Sequence, residues 1–92
     1  YLVDVMIMIK KIKEISSEYK SILIINHEPS VKNLVRNLTK NHNTNNFKLM
    51  NYKFPTAAFA KIVFEIKSWN EVEKKGVLKE FIRPKDLQDS KE

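Results

Sequence analysis

His27 is the residue of this chain best placed to do chemistry. It follows the run Ile22-Leu23-Ile24-Ile25-Asn26 and directly precedes Glu28-Pro29-Ser30. The run Ile22–Ile25 is too uniformly apolar for a strand with one wet face, so it predicts a strand buried on both faces, as in a parallel sheet. Beyond it, Val31, Leu34, Val35 and Leu38 share one helical face. Pro29 suits the first turn of that helix, where its missing N–H is not needed, and Glu28 favours the positive end of the helix dipole. Open α/β sheets bind ligands just outside the carboxyl ends of their strands. A helix start there offers free N–H groups that suit phosphate. A histidine at that junction can donate to a phosphoryl oxygen or act as an acid or base. The plainer alternative is a histidine that caps the helix or packs at the strand end.

The other candidates carry less. Thr56 offers a hydroxyl at a strand entry, where local backbone hydrogen bonding is its plainer role. His42, within the polar stretch Asn41–Asn46, reads as a solvated loop residue, and Trp69 with Phe81 as packing residues rather than a platform for a base. Glu71 and Glu73 stand in a lysine-rich connection and read as a solvated face. Arg36 lies off the apolar face of its helix. With no cysteine there is no disulfide, thiolate metal site or thiol nucleophile, and two histidines are too few for a convincing zinc site. The single glycine, Gly76, excludes every glycine-rich phosphate loop. Neither a metal nor a cofactor is expected.

The elements that position these residues follow from periodicity. Val5, Met8, Ile9, Ile12, Ile15 and Tyr19 recur at helical spacing, with Lys10, Lys11, Lys13 and Glu14 between them, which predicts an amphipathic helix of about four turns. In the second half Ala58, Ala60, Ile62, Phe64 and Ile66 alternate with Lys61 and Glu65, a strand with one wetter face. Val77–Ile82 can return as a second strand, ended by Arg83-Pro84 because proline cannot continue a ladder. The tail Gln88–Glu92 reads as frayed. Helix, buried strand and helix form part of a βαβ arrangement. The expected fold is therefore α/β: a partial three-layer α/β/α sandwich with a mixed, mostly parallel sheet and a C-terminal hairpin-like pair. There is no internal repeat, and residues 1–92 are expected to form a single partial domain, with Tyr1 reading as an entry in mid-fold.

Composition narrows the classes. Apolar residues make up 42% and charged residues 30%, an ordinary globular balance. No apolar run reaches the roughly 20 residues of a membrane span, so no membrane partner is expected. The net charge of +6 comes almost wholly from lysine in a chain also crowded with asparagine and isoleucine. That joint bias reads as background composition rather than a nucleic-acid stripe. A cysteine-free chain is consistent with a reducing cytoplasm.

A resemblance spans nearly the whole chain. Ile22–Ile25, His27, Pro29, Leu34 and Leu38 are similar to the hydrophobic strand, His-x-Pro and following helix of the histidine phosphatase (phosphoglycerate mutase-like) superfamily, SixA class. Phe54-Pro55-Thr56-Ala57-Ala58-Phe59-Ala60 resembles that family's Thr-small-small strand entry. Trp69, Gly76-Val77-Leu78 and Arg83-Pro84-Lys85-Asp86-Leu87 follow in the order of its C-terminus. The resemblance implies a phosphohistidine phosphatase in which an N-terminal Arg-His-Gly histidine takes the phosphoryl group and a second, late histidine completes the pocket. His27 matches that second histidine and is the catalytic and phosphate-binding position it implies, with Thr56 as a weaker phosphate contact. The implied partner is a phosphohistidine-bearing phosphotransfer protein.

No Arg-His-Gly occurs in the chain, and Arg36 and Arg83, its only arginines, match no phosphate-clamping position. Glu28 and Asn26 replace residues that are usually neutral and small. The chain therefore reads as the C-terminal half of such a domain, inactive alone and prone to self-association through an exposed sheet edge. The alternatives are a non-catalytic, truncated or decayed remnant that binds anions or a partner, and a small basic nucleic-acid-binding module.

Overall fold

The computed structural model describes residues 2–89, and their side chains from 3 to 87. Helix α1, Leu2–Lys13, buries Val5 and Ile12 and half-buries Met8 and Ile9, the face its periodicity predicts. It is shorter than expected. Glu14 and Ile15 donate to Lys11 and Ile12, three residues back, at 3.2 and 3.1 Å, tightening the last turn as helix ends do. The Ser16 hydroxyl then accepts from the Glu18 amide at 3.3 Å, a local bond that competes with helix. Tyr19 is left outside the helix and exposed.

The predicted buried strand is not formed. Residues 21–27 are extended without belonging to any sheet, and the amides and carbonyls of Ser21–Ile25 make no backbone hydrogen bond. Ile22 and Ile24 are half-buried against the cluster of Val5, Ile12, Leu34, Leu38 and Val72, whereas Leu23 and Ile25 are 72% and 86% exposed. The segment thus keeps the two-residue alternation of a strand without a ladder. Burial on both faces requires neighbouring strands and a second covering layer, and no described element supplies either.

Helix α2, Ser30–Leu38, begins after Pro29, which holds its N-cap position behind a cis Glu28–Pro29 peptide. Leu34, Val35 and Leu38 are buried, as their spacing predicts. Helix α3, Asn45–Tyr52, lies where the sequence offered a polar loop as far as Asn46. Thr44 caps it, accepting from the Phe47 amide at 3.1 Å, and Phe47 and Met50 are buried. Two apolar anchors among asparagines make a weak periodic signal; the cap and tertiary packing hold this helix.

Strands β1, Phe59–Val63, and β2, Val77–Ile82, pair antiparallel. The register Ala60↔Phe81 and Ile62↔Leu78 puts these four side chains on the inner face, and an irregularity between Lys61 and Ile62 accommodates Lys79 as an extra residue. Val35, Phe47 and Met50 pack against that face. Gly76 precedes β2 and bridges in parallel to Thr39, donating to Leu38 at 2.8 Å and accepting from Lys40 at 2.9 Å. Trp69–Glu71 is a short 3-10 turn. The indole of Trp69 packs on the α1–α2 cluster and donates to the Tyr19 carbonyl at 2.7 Å. After β2 the chain forms α4, Pro84–Asp89, so Gln88 and Asp89, expected in a frayed tail, are helical; residues 90–92 lie outside the described part.

The result is a small mixed α/β domain with a two-stranded antiparallel sheet and helices packed on its inner face. The C-terminal strand pair is present. The expected mostly parallel sheet is not: among the described residues, the Thr39–Gly76 bridge is the one parallel contact. The outer face, bearing Phe59, Val63 and Val77, is exposed and has no covering layer among the described elements. No described helix is long and apolar enough to cross a membrane.

Candidate functional site

His27 is exposed at the joint between the extended segment and α2. Its amide donates to Asn26 Oδ1 at 2.8 Å, while Asn26 Nδ2 donates to Met8 Sδ of α1 at 3.4 Å. Asn26, a departure from the expected small residue, therefore anchors the backbone beside His27 to the first helix. Two hollows meet at this point. The larger is a groove of about 1220 Å³, with residues 19–28 along one wall and 54–64 along the other. The smaller, of about 240 Å³, is lined by Asp4, Met8 and Lys11 of α1 together with Asn26, His27 and Ser30.

Thr56 lines the same groove as His27, so both candidate phosphate contacts border one cavity. Thr56 sits in a turn closed by a 3.1 Å bond from the Ala58 amide to the Pro55 carbonyl, with Ala57 at a φ of 67°. That left-handed angle suits glycine, and its adoption by alanine stores strain at the groove's edge.

Helix α2 does not present a vacant anion site. Glu28 Oε1 accepts from the Lys32 amide at 2.7 Å, so a carboxylate of the chain itself sits at the positive end of α2. The Asn33 amide is taken by the Pro29 carbonyl at 3.1 Å. Ser30, only 2% exposed, lines the smaller hollow beside His27 and Lys11. Lys11 and His27 are donors suited to an anion, with Asp4 and Glu28 as the opposing charges. Neither Lys11 nor Ser30 carries a signal in sequence, because their meeting with His27 depends on how α1 packs on α2.

The remaining candidates fall elsewhere. His42 is not a solvated loop residue: it is half-buried, stacks on Phe47 at 3.9 Å between ring centroids and 6° between planes, and places Nε2 3.1 Å from the Thr39 carbonyl. Glu71 is exposed, as a solvated face requires, and its Oε2 also accepts from the Lys67 and Ser68 amides at 3.3 and 3.1 Å, holding the 3-10 turn. Arg36 is exposed. Arg83 binds Asp86 through Nη2 at 2.7 Å and Nε at 3.0 Å. Those side-chain bonds, helped by the Arg83 amide, lower the Asp86 pKa from 3.8 to about 2. Neither arginine lines either hollow. Among the described residues no three histidines or carboxylates cluster to hold a metal. Against known proteins, no family model, no curated protein and no solved structure matches this chain.

Proposed function

We propose that the chain is the half of a histidine-phosphatase-type domain that bears the second pocket histidine, and that the complete domain hydrolyses protein phosphohistidine. One observation carries the reading: His27 is exposed where an extended apolar segment runs into α2, on the groove that Thr56 also lines. In this role the His27 imidazole donates to phosphoryl oxygens as negative charge builds up in the transition state. The covalent nucleophile comes from outside the chain, since no Arg-His-Gly is present. The test is an NMR titration of both histidines with inorganic phosphate. A dianion that accepts from the His27 ring moves its imidazole resonances as phosphate is added. His42, stacked on Phe47, is the internal control. Equal responses, or none, overturn the reading. The isolated chain is expected to give no multiple-turnover loss of phosphohistidine from a phosphotransfer protein.

A second reading, a non-catalytic remnant, is favoured by Glu28. Its carboxylate already caps α2 at 2.7 Å from the Lys32 amide and repels an incoming phosphate. Glu28→Asn separates the two. The first reading expects phosphate binding to strengthen by no more than about 1–2 kcal/mol, the scale of one partly solvated charge. A remnant whose pocket is lost gains nothing.

A further inference from the structure

The large groove has the form of a vacant place in a sheet. One wall is Lys20–Asn26, extended, with no backbone hydrogen bond from Ser21 to Ile25. The other wall is β1, paired on one edge with β2 and on the other with nothing among the described residues. The floor is the apolar face of α2, including Val31, Leu34 and Leu38. The walls run in opposite directions: the Trp69–Tyr19 bond ties the start of the extended segment to the region beyond β1, whereas His27 and Thr56 meet the groove at the other end. A strand in a sheet fills roughly 4.8 Å by 10 Å in cross-section and 3.3 Å in length per residue. The groove's volume of about 1220 Å³ is therefore that of about eight strand residues, close to the seven of its Lys20–Asn26 wall.

We propose that this groove takes one β-strand of about seven residues, contributed by a different polypeptide segment and paired with both walls at once. Unpaired edges on both sides ask for a backbone that donates and accepts along both of its own edges, which an extended peptide does. Its inward side chains are apolar, to rest on α2. Charge specifies one end. Lys61 faces Glu80 across the β1–β2 ladder, while Lys20 and Lys67, at the Trp69 end, are in no ion pair among the described residues, the Lys20 ammonium donating only to the Ser17 carbonyl at 3.3 Å. The strand carries a carboxylate at that end. A second copy is the wrong occupant, because its own unpaired extended stretches are the two walls of its own groove. Edge-to-edge pairing of two β1 strands would satisfy one wall and leave the other bare. This inference does not depend on the phosphatase reading.

The experiment adds seven-residue peptides of alternating valine and threonine to the full chain. A glutamate is placed at either end, and lysine-tipped versions serve as controls. Amide hydrogen exchange is read by NMR. The expected result is that a glutamate-tipped peptide slows exchange at least five-fold at Leu23–Ile25 and along β1 together, and binds at least three-fold tighter than its lysine-tipped control. Leu23→Pro removes a wall N–H that bonds nothing in the free chain, so binding is lost while the melting temperature holds. Methylating alternate peptide amides tests the same point without altering the protein and abolishes binding too. Protection of one wall alone, no protection, or indifference to methylation overturns the proposal.

Discussion

Asp86 is the residue whose titration the structure makes most specific. Arg83 holds its carboxylate through two side-chain bonds at 2.7 and 3.0 Å and an amide bond at 2.8 Å, which lower its pKa from 3.8 to about 2. A carboxyl whose folded pKa is depressed stabilises the fold at pH values above its unfolded pKa, and that contribution is lost as pH falls through the folded value. The window here runs from just above pH 4 down to about 2. The Arg83 Nε–H resonance should shift across it with a midpoint near 2. Asp86→Asn should abolish that shift and remove its share of the acid sensitivity of melting. A midpoint near 4 would mean the pair does not hold in solution. In sequence Asp86 is only part of a tail motif; the pairing depends on α4 setting Arg83 and Asp86 one turn apart at its start, and proline there makes that turn hard to distinguish from a strand's end. Glu28 shows the converse. Its preference for a helix start was legible from position alone, and it caps α2 as its charge predicts.

At the scale of elements, Gly76 links β2 to the end of α2. A Cβ there would meet Ile62 Cγ2 at 2.5 Å, the Leu38 carbonyl oxygen at 2.7 Å and Phe64 Cε2 at 2.7 Å. The Leu38 carbonyl accepts from Gly76 itself, so it cannot retreat without breaking the bridge. Gly76→Ala should therefore destabilise the chain by about 1–3 kcal/mol in urea unfolding, the usual cost of overpacking; a change below about 0.5 kcal/mol would show that this joint yields. The same elements mark what a sequence can reveal. The faces of α1 and α2 and the span of β2 followed from residues that interact within a few positions of one another or across one ladder. The run Ile22–Ile25 misled because its composition specifies the environment a strand needs, two covered faces and two neighbours, but cannot guarantee that the neighbours are present. Helix α3 escaped notice because asparagines dilute its periodicity, and the stacking of His42 on Phe47 became visible only once that helix existed. His27 and Thr56 were coupled by the resemblance and not by any local signal, and both border the large groove. Lys11 and Ser30 were not, since α1–α2 packing brings them there.

For the whole molecule, the decisive feature is what the two-stranded sheet leaves uncovered. Leu23, Ile25, Phe59, Val63 and Val77 are exposed, beside an unpaired β1 edge and an unpaired extended segment. Scattered apolar residues on a surface need no explanation, but a set bordering free strand edges is a site of association. Opposing it is the chain's net charge of +6, which makes copies repel. The range of that repulsion shrinks from roughly 30 Å at 0.01 M salt to about 8 Å at 0.15 M, whereas apolar attraction persists. Association should therefore strengthen as salt rises, the reverse of what contacts between opposite charges would do. Sedimentation velocity over a range of concentrations and salts checks this. Ile25→Ser is the informative variant: at 86% exposure its side chain contributes little to the folded monomer, so stability should change by no more than about 0.5 kcal/mol while association weakens. A parent chain that stays monomeric at high concentration and high salt would show that this face is tolerated in water. Association that weakens with salt would assign the contact to charges instead of the sheet.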